Sequence, residues 1–149
     1  MKHQKIVFVC SGNTCRSPMA EAAFKKELKR RKISWYKIQS AGVNALDGTP
    51  MNPDAKKALT EAKIPYSESF QSRRLTPKMV EEALAIICMT RDICELIPGK
   101  NVMSVYELAG KDIPDPYGQG IDAYRITLRY FRECIPTIIS RLGLGLQED

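Results

Sequence analysis

Cys10 and Arg16, with Ser11, Gly12, Asn13, Thr14 and Cys15 between them and Ser17-Pro18 behind, are the residues of this chain best suited to chemistry. The five intervening residues are enough for a loop to curl around one tetrahedral oxyanion. Gly12 permits backbone angles that a side chain would forbid, and Asn13 tolerates left-handed geometry. Arg16 offers a planar fork that grips two phosphate oxygens. A cysteine at the edge of such a cradle is placed to react as a thiolate nucleophile. The chemistry implied is phosphoryl transfer through a phosphocysteine. The alternative, an inert cysteine at a strand end, leaves the surrounding Gly, Asn, Arg, Ser and Pro without a purpose. Neither G-x-x-x-x-G-K-[ST] nor G-x-G-x-x-G occurs in the chain, so a nucleotide-binding loop is not supported.

These residues need a strand and a helix to hold them. The apolar run Ile6-Val7-Phe8-Val9 reads as a strand that delivers Cys10 to the loop. The segment after Arg16 reads as a helix, whose N-terminus offers unpaired N–H groups and a positive dipole end. Successive loop amides add a concave anion nest. Ser17 is expected to cap the helix with Pro18 in its first turn, and its hydroxyl is also within reach of donating to Cys10.

Strands are expected over 5–9, 35–39, 84–88 and 101–104, and helices over 18–31, 52–63, 76–83, 91–97 and 121–142. This alternation argues for βαβ units and a parallel sheet. The first strand is too apolar to be an edge. In the last helix Ile121, Tyr124, Leu128, Phe131, Ile135, Ile138 and Leu142 recur at steps of three and four, a core-facing stripe. Pro136 is expected to bend that helix or end its first part. A nucleophile at the end of strand one also lies where open α/β sheets bind ligands, beyond the carboxyl ends of the strands.

Composition narrows the function classes. A chain of 149 residues is expected to form one domain, 1–149, and 44% hydrophobic with 27% charged residues is ordinary for a globular protein. No apolar run approaches membrane-spanning length, and the start Met1-Lys2-His3-Gln4-Lys5 carries no signal-peptide pattern. A cytoplasmic protein with no membrane partner is expected. Five irregularly spaced cysteines read as thiols rather than a disulfide framework. The net charge of +6 is concentrated at 25–32, which reads as a solvated helix end complementing the dipole rather than a nucleic-acid surface. A basic surface does help attract phosphorylated, acidic proteins. His3 is the single histidine and is expected to be exposed and idle. A histidine-based metal site is excluded by count; no metal or other cofactor is expected, and the chain is expected to be a monomer or weak homo-oligomer.

Cys10 to Arg16 fits the C-x5-R signature of cysteine-dependent protein phosphatases. The longer string VCSGNTCRSPMAE, from Val9 to Glu21, resembles the low-molecular-weight protein tyrosine phosphatase family, as do Ser40-Ala41-Gly42 and Asp115-Pro116-Tyr117-Gly118 further on. The resemblance covers essentially the whole chain. It implies an α/β, flavodoxin-like doubly wound fold with four parallel strands in the order 2-1-3-4. It further implies that Cys10 is the nucleophile, Arg16 the phosphate ligand, and Ser11, Gly12, Asn13, Thr14, Cys15 and Ser17 the rest of the phosphate-binding loop. Ser40 resembles the family serine that orients Asn13.

Asp115 matches the family's general acid, which protonates the leaving atom and then deprotonates the attacking water. On its own an Asp-Pro is equally a turn residue; Asp112 is the competitor, without the Asp-Pro context. Tyr117 reads as an aromatic wall of the entrance or as an ordinary half-buried tyrosine. Cys15 resembles the family's second cysteine, which pairs with Cys10 on oxidation; otherwise it is a small packing residue. Phe70 stands where many relatives carry a histidine that braces the loop.

Thr14 bears on the substrate. Tyrosine-specific members commonly have isoleucine there, whereas the form Gly12-Asn13-Thr14-Cys15-Arg16-Ser17 resembles the bacterial protein-arginine phosphatases. A hydroxyl can accept a hydrogen bond from a guanidinium, while an apolar wall suits a phenyl ring. Phosphoarginine is therefore the favoured substrate and phosphotyrosine the alternative. An arsenate reductase would need a thiol relay, for which Cys88 and Cys94 are the candidates, although each also reads as an ordinary strand or helix residue; Cys134 reads as core. A non-catalytic phosphoprotein-binding module is a further alternative, which the complete set of nucleophile, arginine and acid argues against.

Overall fold

The computed structural model describes residues 4–146; His3 lies outside them. The central strand β1 (Gln4–Cys10) is paired on one side with β2 (Tyr36–Gly42) and on the other with β3 (Ala85–Cys88). The short β4 (Val102–Ser104) lies outside β3. All pairings are parallel and the order is β2-β1-β3-β4, the doubly wound order expected. Central placement explains the unbroken apolar run: Ile6, Val7, Phe8 and Val9 are buried on both faces of the sheet.

Among the described residues six helices accompany the strands: α1 (Arg16–Arg30), α2 (Pro53–Glu61), α3 (Pro77–Glu82), α4 (Arg91–Cys94), α5 (Val105–Ala109) and α6 (Ile121–Leu142). Phe8 of β1 meets Phe24 of α1 and Phe131 of α6 edge-on, with ring centroids 5.1 and 5.3 Å away. This trio anchors the two helices to one face of the central strand. Tyr124, Leu128, Phe131, Ile135 and Ile138 bury the expected stripe of α6, and Ile121 and Leu142 at its ends are half-buried.

Local chemistry sets the helix ends. Asn52 accepts the Asp54 N–H at 2.8 Å with Pro53 opening α2, and Thr76 accepts the Met79 N–H at 3.2 Å with Pro77 opening α3. Pro136 does not end α6. Its position is exposed, so the carbonyl of Arg132 that it deprives of an N–H faces water. Helix 91–97 is shorter than expected, ending at Cys94 in tight turns before Pro98. Helix α5 was not expected, although its signal was present. Ser104 and Glu107 form a reciprocal capping box, and Gly110, at φ 78°, closes the helix in the left-handed region.

Candidate active site

The loop between β1 and α1 is built around Asn13. Its backbone is left-handed, at φ 57°, and its side chain is wholly buried. Nδ2 donates to Ser17 Oγ at 2.8 Å and to Ser40 Oγ at 3.0 Å, while Oδ1 accepts the Arg73 N–H at 2.9 Å. Ser72 Oγ donates to the Asn13 carbonyl at 2.6 Å. Ser40 in turn donates to Glu21 Oε1 at 2.6 Å. All the hydrogen-bonding capacity of the Asn13 amide nitrogen is thus used to hold the loop in a conformation that a residue with a side chain ordinarily avoids.

Helix α1 starts at Arg16, two residues earlier than expected, with Cys15 at the N-cap and no side-chain cap. Ser17 therefore does not cap the helix. It lies inside the first turn, where its hydroxyl sits 2.9 Å from Cys10 Sγ and 3.3 Å from the Ala41 carbonyl oxygen. Cys10 Sγ also receives the Asn13 N–H at 3.3 Å. Cys15 Sγ points elsewhere, to Tyr124 Oη at 3.3 Å and Thr14 Oγ1 at 3.6 Å. Burial pushes the Cys15 thiol above its ordinary value, against the opposing pull of the Tyr124 hydroxyl. Burial likewise pushes up the Tyr124 phenol.

Arg16 lies almost wholly buried along the site floor. Its Nη1 donates to the Ile113 carbonyl at 3.3 Å, and its Nη2 stands 3.8 Å from Asp115 Oδ2. The Asp115 carboxyl is 57% exposed and accepts the Tyr117 N–H at 3.1 Å. Cys10, Ser11, Gly12, Thr14, Cys15, Arg16, Asp115 and Tyr117 line one cleft of about 220 Å³. Nucleophile and guanidinium thus meet, at the end of the central strand, a carboxyl that lies far along the chain from both, at Asp115. The arrangement has the parts for attack on a bound oxyanion and for proton transfer to a leaving group. A more apolar cavity of about 520 Å³ beside Leu75, Val80 and Ile97 holds none of these groups.

Asp112 does not line the cleft. Its carboxylate is engaged by Arg91, through the backbone N–H and Nε at 3.0 Å each and Nη2 at 2.8 Å. Cys88 is buried at the end of β3 and Cys94 is half-buried on α4. They adjoin each other, which pushes the Cys88 thiol up, but neither lines the cleft. Phe70 is half-buried, and the bracing contacts to Asn13 come from Ser72 and Arg73. Among the described residues no cluster of His, Cys, Asp and Glu is arranged to hold a metal ion, and no helix is long and apolar enough to cross a membrane.

Glu21, Ser72 and Arg73 are parts of the site that sequence reasoning did not single out. Glu21 ends the motif that runs from Val9, but its partner Ser40 is 19 residues away and no local pattern joins them. Ser72 and Arg73 lie in an irregular stretch with no periodicity to mark it.

Residues 5–146 match the family model of the low molecular weight phosphotyrosine protein phosphatases. The chain belongs to that family. A protein-arginine-phosphatase of Bacillus subtilis is 34% identical over 97% of each chain. The low molecular weight protein-tyrosine-phosphatase PtpB of Staphylococcus haemolyticus is 33% identical over 83% of this chain and 88% of its own. Among solved structures, the YwlE arginine phosphatase in a mutant form with a phosphorylated active-site serine superposes with a TM-score of 0.85. It is 33% identical and covers 94% of this chain and 96% of its own. As a member of the low molecular weight phosphatase family, the chain is an enzyme, a cysteine-based phosphatase.

Proposed function

We propose that this phosphatase hydrolyses phosphoarginine in proteins, with Cys10 as nucleophile, Arg16 as phosphate ligand and Asp115 as general acid and base. The Cys10 thiolate attacks phosphorus while the P–N bond to the guanidine breaks. Asp115, protonated, gives its proton to the departing nitrogen. The resulting Asp115 carboxylate takes a proton from water as the oxygen attacks phosphocysteine, releasing phosphate and restoring the thiolate. The loop amides other than that of Asn13, which faces Cys10 Sγ, bind the equatorial oxygens together with the Arg16 fork and the donors at the start of α1.

The observation that carries the phosphoarginine reading is Thr14. Its hydroxyl-bearing side chain lines the cleft together with the Asp115 carboxyl, giving a departing guanidinium two oxygen acceptors. The relatives named protein-arginine-phosphatases, at 34% and 33% identity, support the same reading. One observation favours phosphotyrosine instead: the Tyr117 ring, 70% exposed at the edge of the cleft, offers an aryl substrate a wall to stack on. The net charge of +6 supports acidic phosphoproteins as partners. We take residues 1–149 to act as one domain in the cytoplasm, as a monomer or weak homo-oligomer, without nucleic acid.

The test is kcat/KM on peptides of one sequence carrying phosphoarginine or phosphotyrosine. A clear preference for phosphotyrosine overturns the phosphoarginine reading. A Cys10→Ser protein that still turns over either peptide overturns the covalent mechanism.

A further inference from the structure

We propose that Arg91 and Asp112 form a clamp that positions Asp115 for proton transfer, an inference that rests on Asp115 being the general acid. The acid itself is loosely held. Its carboxyl is more than half exposed, its shortest contact is the Tyr117 N–H, and the guanidinium of Arg16 lies 3.8 Å away. Where that carboxyl points is therefore set by the backbone that carries it.

That backbone is held at Asp115 itself, whose carbonyl accepts from Gln119 Nε2 at 2.8 Å, and at Asp112, three residues earlier. Oδ1 of Asp112 accepts the Arg91 N–H, one of the free N–H groups at the start of α4, and Oδ2 faces Nε and Nη2 of the same arginine. Both carboxylate oxygens are thus taken by one residue, Oδ1 by its backbone N–H and Oδ2 by two nitrogens of its guanidinium, which fixes orientation as well as distance. The Arg91 guanidinium is itself held from beneath, its central carbon 3.6 Å from the centroid of the Tyr106 ring on α5. One arginine thus joins α4, α5 and the loop that bears the acid.

Position is transmitted from Asp112 to Asp115 because the segment between them has little freedom. Ile113 donates its N–H to the Met89 carbonyl at 2.9 Å, and the Pro114 carbonyl accepts from Thr127 Oγ1 at 3.2 Å. Pro114 and Pro116 restrict the residues on either side of Asp115. The clamp lies on the surface, where ion pairs contribute little to stability. Its value is directional, and its loss is to be sought in catalysis.

The experiment compares the native protein, Arg91→Gln, Asp115→Asn and the double variant on phenyl phosphate and p-nitrophenyl phosphate, whose leaving groups differ in their need for a proton. Arg91→Gln is expected to lower kcat/KM for phenyl phosphate roughly five- to tenfold and for p-nitrophenyl phosphate by no more than about twofold. In the Asp115→Asn background the same substitution is expected to cost nothing further, since a positioning residue cannot act once the group it positions is gone. Equal losses on both esters, or an additive cost in the double variant, overturn the clamp. Tyr106→Leu keeps the ion pair and removes the ring under it. It should repeat the pattern at smaller size, and it carries the test if Arg91→Gln does not fold. An Asp115→Asn protein equally slow on both esters removes the acid assignment and the clamp with it. A leaving-group-dependent Asp115→Asn beside an indifferent Arg91→Gln removes the clamp alone.

Discussion

Ser17 Oγ lies 2.9 Å from Cys10 Sγ while accepting a hydrogen bond from Asn13 Nδ2 at 2.8 Å. Because Asn13 supplies the proton in the second contact, the serine's own proton is free to point at sulfur. The competing Ala41 carbonyl is further away, at 3.3 Å. In the proposed mechanism Ser17 is therefore a donor to Cys10 whenever the sulfur carries negative charge, both before attack and as it leaves phosphocysteine.

Ser17→Ala should slow turnover with little change in KM. A hydrogen bond to a charged group contributes about 1.5–3 kcal/mol, so kcat should fall roughly ten- to a hundredfold. Rapid-quench measurement of the phosphocysteine should find its breakdown slowed, because the departing thiolate has lost its donor. A variant with unchanged kcat would remove Ser17 from the reaction.

Gly42 makes a prediction of another kind. A Cβ built there would sit 2.5 Å from the Ser11 carbonyl oxygen and 2.9 Å from the Asn13 nitrogen. Both atoms are loop backbone and cannot swing aside as a side-chain tip could. Gly42→Ala should therefore push the phosphate loop off β2, costing about 1–3 kcal/mol of stability. Binding of inorganic phosphate or vanadate should weaken in parallel, which calorimetry on the folded variant would read. Unaltered oxyanion affinity would show that the loop absorbs the methyl group without moving its amides.

The ease of reading this chain followed the range of its interactions. Strand β1, helix α1 and the loop between them are encoded within one continuous stretch, so their roles could be read locally. The order of strands came from family resemblance, and the parallel pairing from the alternation of elements. What stayed hidden joins distant segments. Glu21 meets Ser40, Ser72 and Arg73 meet Asn13, and Arg91 meets Asp112, 21 residues away. No periodicity marks such pairs. Of the two roles expected of Ser17, the contact with Cys10 is present and the helix cap is not: a serine just ahead of an apolar helix is the usual cap, but here the first turn begins earlier, at Arg16.

The acid limb of stability offers a check on α1. Glu27 is gripped by Arg30 through two contacts of 2.9 and 2.7 Å and by Arg31 at 2.7 Å. The Arg30 hydrogen bonds, with Arg31 in support, hold its carboxyl down to about 2. A carboxylate depressed in the folded state stabilises fully above its unfolded value, about 4.3, and loses that contribution as pH falls through the folded value. The pair is at the surface, so the effect is at most about 1 kcal/mol. Thermal melts should place Glu27→Gln below the native protein at pH 7, with the gap closing between about pH 4 and 2. A gap that does not change with pH would mean that the charge of Glu27 is not what stabilises the helix end.

Thr14→Ile is the sharpest test of substrate choice. Threonine and isoleucine share a β-branched shape, so the loop should keep its conformation. The substitution replaces a hydroxyl lining the cleft with a hydrocarbon arm. If that hydroxyl accepts from the substrate guanidinium, its loss leaves a desolvated donor unpaired, at about 1–3 kcal/mol. Phosphoarginine kcat/KM should then fall roughly five- to more than a hundredfold. Phosphotyrosine kcat/KM should hold or rise, because an aryl ring asks only for apolar contact. The quantity to measure is the ratio of the two in native and variant proteins. That ratio cancels any shared defect at Cys10, Arg16 or Asp115, since the proposed mechanism uses all three for both substrates. A ratio that does not change would mean that Thr14 is not the selector, and the choice between the two substrates would then rest with Tyr117 at the mouth of the cleft.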